Sequence, residues 1–132
     1  TVFLAMDTYV ELYKGGMISL SDFVQMKPDN DLLVHIIIRK QPMQMVYTSM
    51  RNQRTDFPVI TCAFSEMNGE YRASIGARPA RAILIRSEIA EGFAAFVADN
   101  APTEGNIRGS AAYRTHLIKV LVERAMAELG GM

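Results

Sequence analysis

The stretch RNQRTDFPVITCAFSEMNGEYRASIGARPARAILI, from Arg51 to Ile85, decides the fold of this chain. Near its centre lies Asn68-Gly69, which favours a two-residue type I′ turn because that turn needs positive φ at both central residues. The hairpin closed by this turn pairs Met67 with Glu70, Glu66 with Tyr71, Phe64 with Ala73, Cys62 with Ile75, and Ile60 with Ala77. Side chains alternate between faces along a strand, so this register predicts one apolar face, made of Ile60, Cys62, Phe64, Tyr71, Ala73 and Ile75. The other face receives Thr61, Ser65, Arg72 and Ser74.

Length and charge restrict the classes of function. A chain of 132 residues can bury one core, or hold one complete subdomain with part of another. Lysine plus arginine and aspartate plus glutamate both number 14, so the net charge is zero, which argues against a partner that is nucleic acid or a membrane surface. Cys62 is the single cysteine, so an internal disulfide is excluded and a reducing, cytoplasmic location is expected.

The first forty residues resemble the end of a larger unit. Val2 to Met6 is apolar throughout and starts without a helix cap, which indicates a fragment of a longer protein. Tyr9 to Tyr13 alternates like a strand and reaches the turn Lys14-Gly15-Gly16, after which Met17 to Leu20 returns as a second arm. Leu32 to Ile38 is a continuous apolar run rich in β-branched residues, which is typical of an inner strand buried on both faces.

A boundary between two units is predicted at Arg39 to Pro42, which separates residues 1–40 from residues 43–132. In the second unit, Met45 to Met50 reads as a strand that leads into the hairpin. Ala80 to Ile85 predicts a third strand of the hairpin's sheet.

From Ser87 onward the apolar period becomes helical. Ser87 predicts the cap of a first helix, with the stripe Ile89, Phe93, Phe96 and Val97. Ser110 opens a second helix, which Gly130-Gly131 ends. Its apolar stripe consists of Ile118, Leu121, Val122, Ala125, Met126 and Leu129. Its solvent-facing side is predicted to carry Arg114, Lys119, Glu123 and Glu128. The sequence therefore predicts an α+β fold, with an antiparallel three-stranded sheet covered by two C-terminal helices.

The residues show no catalytic or metal-binding motif. His35 lies in an apolar strand and is interpreted as a structural or edge histidine, and His116 is expected to face solvent. Cys62 lies on the apolar hairpin face, where cysteine acts as a small hydrophobe rather than a nucleophile. A group of arginines flanks the hairpin strands and either converges on an anionic ligand or acidic partner, or forms a solvated edge; it consists of Arg51, Arg54, Arg78, Arg81 and Arg86.

The order of the motifs resembles one family: the FAD-binding medium subunit of the xanthine dehydrogenase and CO dehydrogenase (molybdenum hydroxylase) family, in its C-terminal portion. The matching pieces are Arg51 to Asp56 with Phe57-Pro58, Gly76-Ala77-Arg78, and Ser110-Ala111-Ala112-Tyr113-Arg114 followed by Leu117, Val120, Leu121 and Arg124. The stretch from Val2 to Ile38 resembles the end of that subunit's second FAD-binding lobe. The family closes this lobe with I-x-I-P, whereas Ile36-Ile37-Ile38-Arg39 lacks the proline.

The resemblance implies FAD as the cofactor of the full-length subunit. It places a leucine against the flavin at Leu33, with Leu32 as the one-residue alternative. A lysine beside the flavin in eukaryotic members falls on Thr48, and that of some bacterial members falls on Ser49. No catalytic residue and no metal ligand is carried over to this chain.

The resemblance also implies electron transfer from iron–sulfur clusters through FAD to an acceptor such as NAD. The implied partners are a molybdopterin-binding large subunit and an iron–sulfur small subunit. The family's glycine-rich FAD diphosphate loops would precede Thr1, so this chain alone is expected to hold no FAD. The alternative is a scaffold or protein-interaction module without a cofactor.

Overall fold

A computed structural model describes residues 1–130 of the chain. Two antiparallel sheets, three short helices and one long helix follow one another along it. The elements are α1 (Val2–Ala5), β1 (Thr8–Leu12), β2 (Gly16–Ser19), α2 (Leu20–Phe23), β3 (Leu33–Ile38), β4 (Gln44–Arg51), β5 (Pro58–Met67), β6 (Glu70–Gly76), β7 (Ile83–Ser87), α3 (Phe93–Asn100) and α4 (Ala111–Gly130).

The central hairpin has the predicted register as far as Gly76, but the predicted pair of Ile60 with Ala77 does not form, because Ala77 leaves the strand with a φ of 57°. β5 and β6 pair Met67 with Glu70, Phe64 with Ala73 and Cys62 with Ile75. Asn68 and Gly69 have φ of 52° and 79°, the positive values that a type I′ turn requires. The predicted apolar face lies in the main core, where Tyr71 is partly buried and the other five side chains are fully buried.

This hairpin belongs to a four-stranded sheet in the order β4-β5-β6-β7. The α+β class and the two covering helices are as predicted, but the sheet has one strand more, because Gln44–Arg51 pairs along the whole outer side of β5. α4 packs across β4 and β5, and α3 packs on α4. The core between them contains Phe64, Phe93, Ile118 and Val122.

The predicted start of the first helix is wrong. Ser87 is the last residue of β7, where it pairs with Tyr71, and its Oγ accepts from the backbone N–H of Ile89 (3.0 Å) in a local turn. α3 begins at Phe93, after Gly92 in the left-handed conformation. Ile89 is consequently exposed instead of lying on the helix stripe. Sheet pairing therefore takes precedence over the capping signal of Ser87.

α4 follows its prediction except at one residue. Ser110 Oγ accepts from the Tyr113 N–H (3.2 Å), and the predicted apolar stripe is buried apart from Met126, which is partly buried. Arg114, predicted on the wet side, is fully buried. The helix includes Gly130, and Gly131 of the predicted stop lies outside the described residues.

The first forty residues form a small three-stranded sheet in the order β2-β1-β3. The β1–β2 hairpin was predicted. Ser19 caps α2, since its Oγ accepts from the Asp22 N–H (3.1 Å). The prediction that Leu32 to Ile38 is an inner strand buried on both faces is wrong. β3 is an edge strand with β1 as its partner, so five of its six residues are exposed.

The two sheets meet through α1, which lies on the polar face of the β5–β6 hairpin. Ser65 Oγ donates to the Ala5 carbonyl (2.7 Å), and Arg72 Nη2 donates to the Leu4 carbonyl (3.4 Å). Both side chains are buried. A Cβ added to Gly76 would lie 2.6 Å from Thr61 Oγ1, so any larger residue at this strand end would displace the neighbouring threonine side chains. The hairpin is thus covered on both faces.

Candidate functional site

A cavity of about 530 Å³ lies between the first sheet and the start of β7. This volume is in the usual range for small-molecule sites, which are mainly apolar with a few polar groups. Most of its lining residues are apolar, of which β1, α2 and β3 contribute one each, and the remaining residues, including all the charged ones, come from the loops. The lining residues are Leu12, Phe23, Val24, Met26, Lys27, Pro28, Asp29, Asp31, Leu33, Arg81 and Ala82.

Leu33, the predicted flavin contact, is one of these lining residues. It pairs with Leu12 at an irregularity in the β1–β3 ladder, which brings the two leucines together at one end of the sheet. Leu32 lies just outside β3 and is highly exposed, and it does not line the cavity. Of the two alternatives, Leu33 lines the cavity and Leu32 does not, and the contact of either residue with a flavin stays a prediction.

Arg81 fixes the loop after α2 to the rest of the cavity wall. Its Nη1 donates to the carbonyls of Val24 (3.1 Å) and Met26. A guanidinium that bridges two carbonyls of another segment orders that segment, since an arginine offers five donors in a rigid fork. Arg81 therefore shapes the cavity from the second unit, a role that sequence reasoning missed because the partners are backbone atoms far away in the chain.

Asp31 closes the opposite side of the cavity by binding the β1–β2 turn. Its carboxylate accepts from the backbone N–H groups of Lys14 (2.9 Å), Gly15 (2.8 Å) and Leu32 (2.8 Å). Desolvation opposes ionisation, but these hydrogen bonds and the charge of Lys14 hold the pKa of Asp31 below its ordinary value. The N–H groups of Lys14 and Gly15 are thus already bound by the Asp31 carboxylate.

The two predicted lysine-equivalent positions face opposite ways. Thr48 pairs with Cys62 on the helix-covered face, and its buried Oγ1 has no hydrogen-bond partner among residues 1–130. Ser49 pairs with Thr61, on the face that meets Thr1. Neither lines the cavity, so the structure does not bring them together with Leu33.

The other titratable candidates have structural surroundings. Burial raises the pKa of Cys62 to about 12, which keeps the thiol protonated and unreactive at neutral pH. His35 lies on the edge strand, with Nδ1 2.7 Å from Glu11 Oε2 on β1, and His116 is exposed, both as predicted. Within the described part of the chain, no three histidine, cysteine, aspartate or glutamate side chains form a metal-binding group. No helix in that part is long and apolar enough to cross a membrane.

The flanking arginines do not converge on one point. Arg78 and Arg81 bind backbone carbonyls near the cavity, and Arg86 lies 3.8 Å from Glu70 on the sheet. Arg51 ends β4 and Arg54 lies in the loop before β5, where Arg51 Nη1 donates to the Asp56 carbonyl (2.7 Å). The five arginines therefore make their contacts at several separate places in the structure.

Buried Arg114 belongs to the motif that carried the family resemblance. Its guanidinium donates to the carbonyls of Val59 (2.8 Å), Glu104 (2.7 Å) and Gly109, and to Asn106 Oδ1 (2.6 Å). Burial, with the charge of Arg108, lowers its pKa from the ordinary value. Arg114 thus anchors a loop, and neither it nor Tyr113 lines the cavity.

This arrangement of sheets and helices is the α+β fold of chains from several oxidoreductases. The chain of CO dehydrogenase from Oligotropha carboxidovorans superposes with a TM-score of 0.76 at 16% identity, covering 96% of this chain and 54% of that one. Quinoline 2-oxidoreductase from Pseudomonas putida 86 gives a TM-score of 0.70 at 18% identity, with the same coverages. CO dehydrogenase from Hydrogenophaga pseudoflava, lacking the Mo-pyranopterin moiety of its molybdenum cofactor, gives 0.72 at 16% identity, with coverages of 94% and 53%.

The likeness confirms the sequence resemblance at the level of the fold. The chain spans about half the length of the chains it matches. No family model matches the sequence, and no curated protein does.

Proposed function

We propose that this chain is part of the FAD-binding subunit of a molybdenum hydroxylase, of the xanthine dehydrogenase type, in the cytoplasm. The observation that supports the proposal most strongly is the shared fold over nearly the whole chain with CO dehydrogenase and quinoline 2-oxidoreductase. Residues 1–40 would end the second FAD-binding lobe, and residues 43–132 would form the C-terminal flavoprotein domain. The subunit would pass electrons from iron–sulfur clusters to an acceptor such as NAD, between a molybdopterin-binding and an iron–sulfur partner subunit.

The cavity fits the apolar ring system of a flavin. Leu33 and Leu12 supply aliphatic contacts, Phe23 adds an aromatic one, and the charged groups lie in the loops around them. A planar, largely apolar ring needs such walls, whereas a few polar groups fix its orientation. Bound flavin would supply the redox chemistry, and the protein would hold and orient it. Of the predicted contacts, Leu33 has this support, while Leu32, Thr48 and Ser49 remain proposals from the resemblance.

The β1–β2 turn and the C-terminal end of the last helix do not supply the free N–H groups that the diphosphate of FAD needs. Phosphates are bound by free backbone N–H groups in glycine-rich turns or at helix N-termini. The Gly15 N–H and its neighbour at Lys14 are already bound to Asp31. The last helix presents its C-terminal end near Gly130, where the helix dipole repels anions. We therefore expect the flavin ring, but not the diphosphate, to contact this chain.

Two titrations test this proposal. The full-length polypeptide should bind FAD with a dissociation constant in the micromolar range or tighter, which quenching of flavin fluorescence measures, and should absorb near 450 nm. The 132-residue chain should show no quenching at the same concentrations, although circular dichroism should show it folded. Micromolar binding by the short chain would contradict the assignment of the diphosphate site to other residues. A full-length polypeptide that binds no flavin would favour the scaffold alternative.

A further inference from the structure

One loop supplies more than half of the residues that line the cavity. The loop joins α2 to β3, and its lining residues are Val24, Met26, Lys27, Pro28, Asp29 and Asp31. We call residues 24–31 the cavity loop. None of the residues from 13 to 32, α2 included, is buried. A segment with so few buried contacts opens more easily than the closed core that it adjoins.

The cavity loop is tied to the second unit by one side chain. Among residues 1–130, the hydrogen bonds that join the loop to the second unit all come from Arg81, whose Nη1 donates to the carbonyls of Val24 (3.1 Å) and Met26. The backbone of Arg81 is itself fixed. Arg78 donates from Nε to the Arg81 carbonyl (2.8 Å) and from Nη1 to the Pro102 carbonyl (2.6 Å). Arg81 is therefore the fixed side of this tie, and the loop is its movable side.

Arg81 and Arg114 both bind loop carbonyls, but they differ in burial. Arg114 is fully buried, so separating its guanidinium from its acceptors would leave a buried charge unpaired. Arg81 is exposed, and water can replace either of its carbonyl acceptors. An exposed hydrogen bond of this kind makes only a small net contribution to stability. The bonds of Arg81 are consequently easy to break and to form again.

The other end of the cavity loop is held within the first unit. The Asp31 carboxylate binds the N–H groups of Lys14 and Gly15, and the Leu32 carbonyl accepts from the Tyr13 N–H (2.8 Å). These bonds do not involve the second unit, so they remain when the bonds of Arg81 break. The loop can thus open at its end beside Arg81 while its Asp31 end stays in place.

We propose that the cavity loop is a lid over the ligand in the cavity and that Arg81 is the latch that holds the lid closed. Breaking the two Arg81 bonds would expose the cavity to solvent, because the loop supplies most of its lining. This inference rests on the proposed function, in that the enclosed ligand is the ring system of a flavin. Arg81 is then a positioning residue, which acts through the loop.

The latch makes a specific prediction about the kinetics of flavin binding. A lid that is held equally well in the empty and the loaded states slows entry and exit by the same factor and leaves the affinity unchanged. A residue that contacts the flavin directly would mainly slow its exit, and its removal would weaken binding. The two rate constants therefore distinguish a latch from a ligand contact.

The test compares Arg81→Met with Arg86→Met in the full-length polypeptide. Methionine keeps an unbranched apolar side chain but has no N–H donor for the two carbonyls. Arg86 is the matched control, since it is an exposed arginine of β7 that does not line the cavity. Flavin fluorescence, followed after mixing and after dilution, gives the association and dissociation rate constants. Both should rise by roughly fivefold in Arg81→Met, with the dissociation constant unchanged within about twofold, and Arg86→Met should change neither.

Arg81→Lys is the conservative variant and should recover part of the effect, because an ammonium group can still donate to the carbonyls. If Arg81→Met melts early, Arg81→Lys decides, and its rate constants should lie above those of the unchanged protein. Unchanged rate constants in the folded Arg81 variants would overturn the latch. Faster dissociation without faster association would also overturn it, since Arg81 would then be a direct flavin contact.

Hydrogen exchange without flavin separates the latch from the proposed function. Exchange from Val24 to Leu32 should be faster in Arg81→Met and unchanged in Arg86→Met, because the bonds of Arg81 hold the empty lid as well. Faster exchange in a polypeptide that binds no flavin would support the latch and contradict the flavin proposal. Unchanged exchange in Arg81→Met would overturn the latch, whether or not the polypeptide binds flavin.

Discussion

β3 and β5 have similar apolar sequences and opposite surroundings. Five of the six residues of β3 are exposed, while eight of the ten residues of β5 are buried. β5 has β4 and β6 on its two sides, α4 across one face and α1 near the other. β3 has β1 on one side only. The burial of an apolar strand thus depends on how many layers surround it, which its own composition does not encode.

The same difference in burial distinguishes the closed core of residues 43–130 from the open cavity wall formed by the first forty residues. The second unit buries its residues in one closed core between sheet and helices. The first unit contributes Leu12, Phe23 and Leu33 to an open cavity instead. Ligand-binding segments commonly belong to the less stable part of a protein, because they must open and close around their ligand. The comparison therefore assigns stability to the second unit, and it agrees with the proposed ligand contact in the first.

The largest predicted effect comes from truncating the closed core. Leu121→Ala should lower the free energy of unfolding by about 2–5 kcal/mol, since Leu121 is buried under the sheet. Ile36→Ala on β3 should cost less than about 1 kcal/mol, because Ile36 is 49% exposed. Urea unfolding measures both. Lys119→Ala, on the exposed side of α4, is the control and should stay within roughly 0.5 kcal/mol, and equal losses at Leu121 and Ile36 would refute the contrast.

Removing the buried guanidinium of Arg114 should have the next largest effect. Arg114→Met keeps the side-chain length but leaves four oxygen acceptors without their donor, so the free energy of unfolding should fall by about 3 kcal/mol. Arg114→Lys should recover only part of this loss, because an ammonium cannot reproduce the planar fork of donors. Thermal unfolding of the two variants measures the effect, and a fully stable methionine variant would mean that the anchor is dispensable.

The contact between the two units can be disturbed at Gly76. Gly76→Ala places a methyl group 2.6 Å from Thr61 Oγ1, where the sheet faces Thr1, so it should destabilise the protein by about 1–3 kcal/mol. Gly105→Ala is the control, since its Cβ would meet no atom closer than 3.6 Å. Hydrogen exchange should show faster opening of α1 in the Gly76 variant alone. Equal stability of the two variants would indicate that the units are not tightly packed there.

The smallest predicted effect depends on pH and lies in the open region. The pKa of Asp31 is held below its ordinary value of 3.8 by its hydrogen bonds, so ionised Asp31 stabilises the folded chain above that pH. This contribution is lost as the pH falls through the lowered pKa. Asp31→Asn should therefore melt slightly earlier than the unchanged chain at pH 6, and the difference should shrink as the pH falls below about 4. A difference that stays constant with pH would exclude the carboxylate charge as its source.

Local signals predicted the parts of the fold whose partners are close in sequence. Asn68-Gly69 fixed the register of the hairpin, and the period of α4 fixed its buried stripe. The pairing of Ser87 with Tyr71, the edge position of β3 and the burial of Arg114 depend on distant segments. An arginine on a helix is predicted to face solvent, although here four oxygen atoms outside the helix accept hydrogen bonds from Arg114. These three features depend on tertiary contacts, so they could not be predicted from composition and periodicity.

Of the four residues that the resemblance proposed beside the flavin, one lines the cavity. Leu33 came from the family resemblance and lines the cavity, whereas Arg81 and Asp31 shape it through backbone groups of other segments. Asp31 stands in a polar loop, where an aspartate is ordinary and gives no signal of the turn it binds.

Hydrogen–deuterium exchange of the full-length polypeptide, with and without FAD, tests the central claim most directly. FAD should slow exchange in the segment from Phe23 to Leu33 and around Arg81, since these backbones line the cavity. Exchange in β5, β6 and α4 should be slow in both states, because that core is already closed. Protection of the closed core with no change from Phe23 to Leu33 would contradict the assignment of ligand contact to the open region.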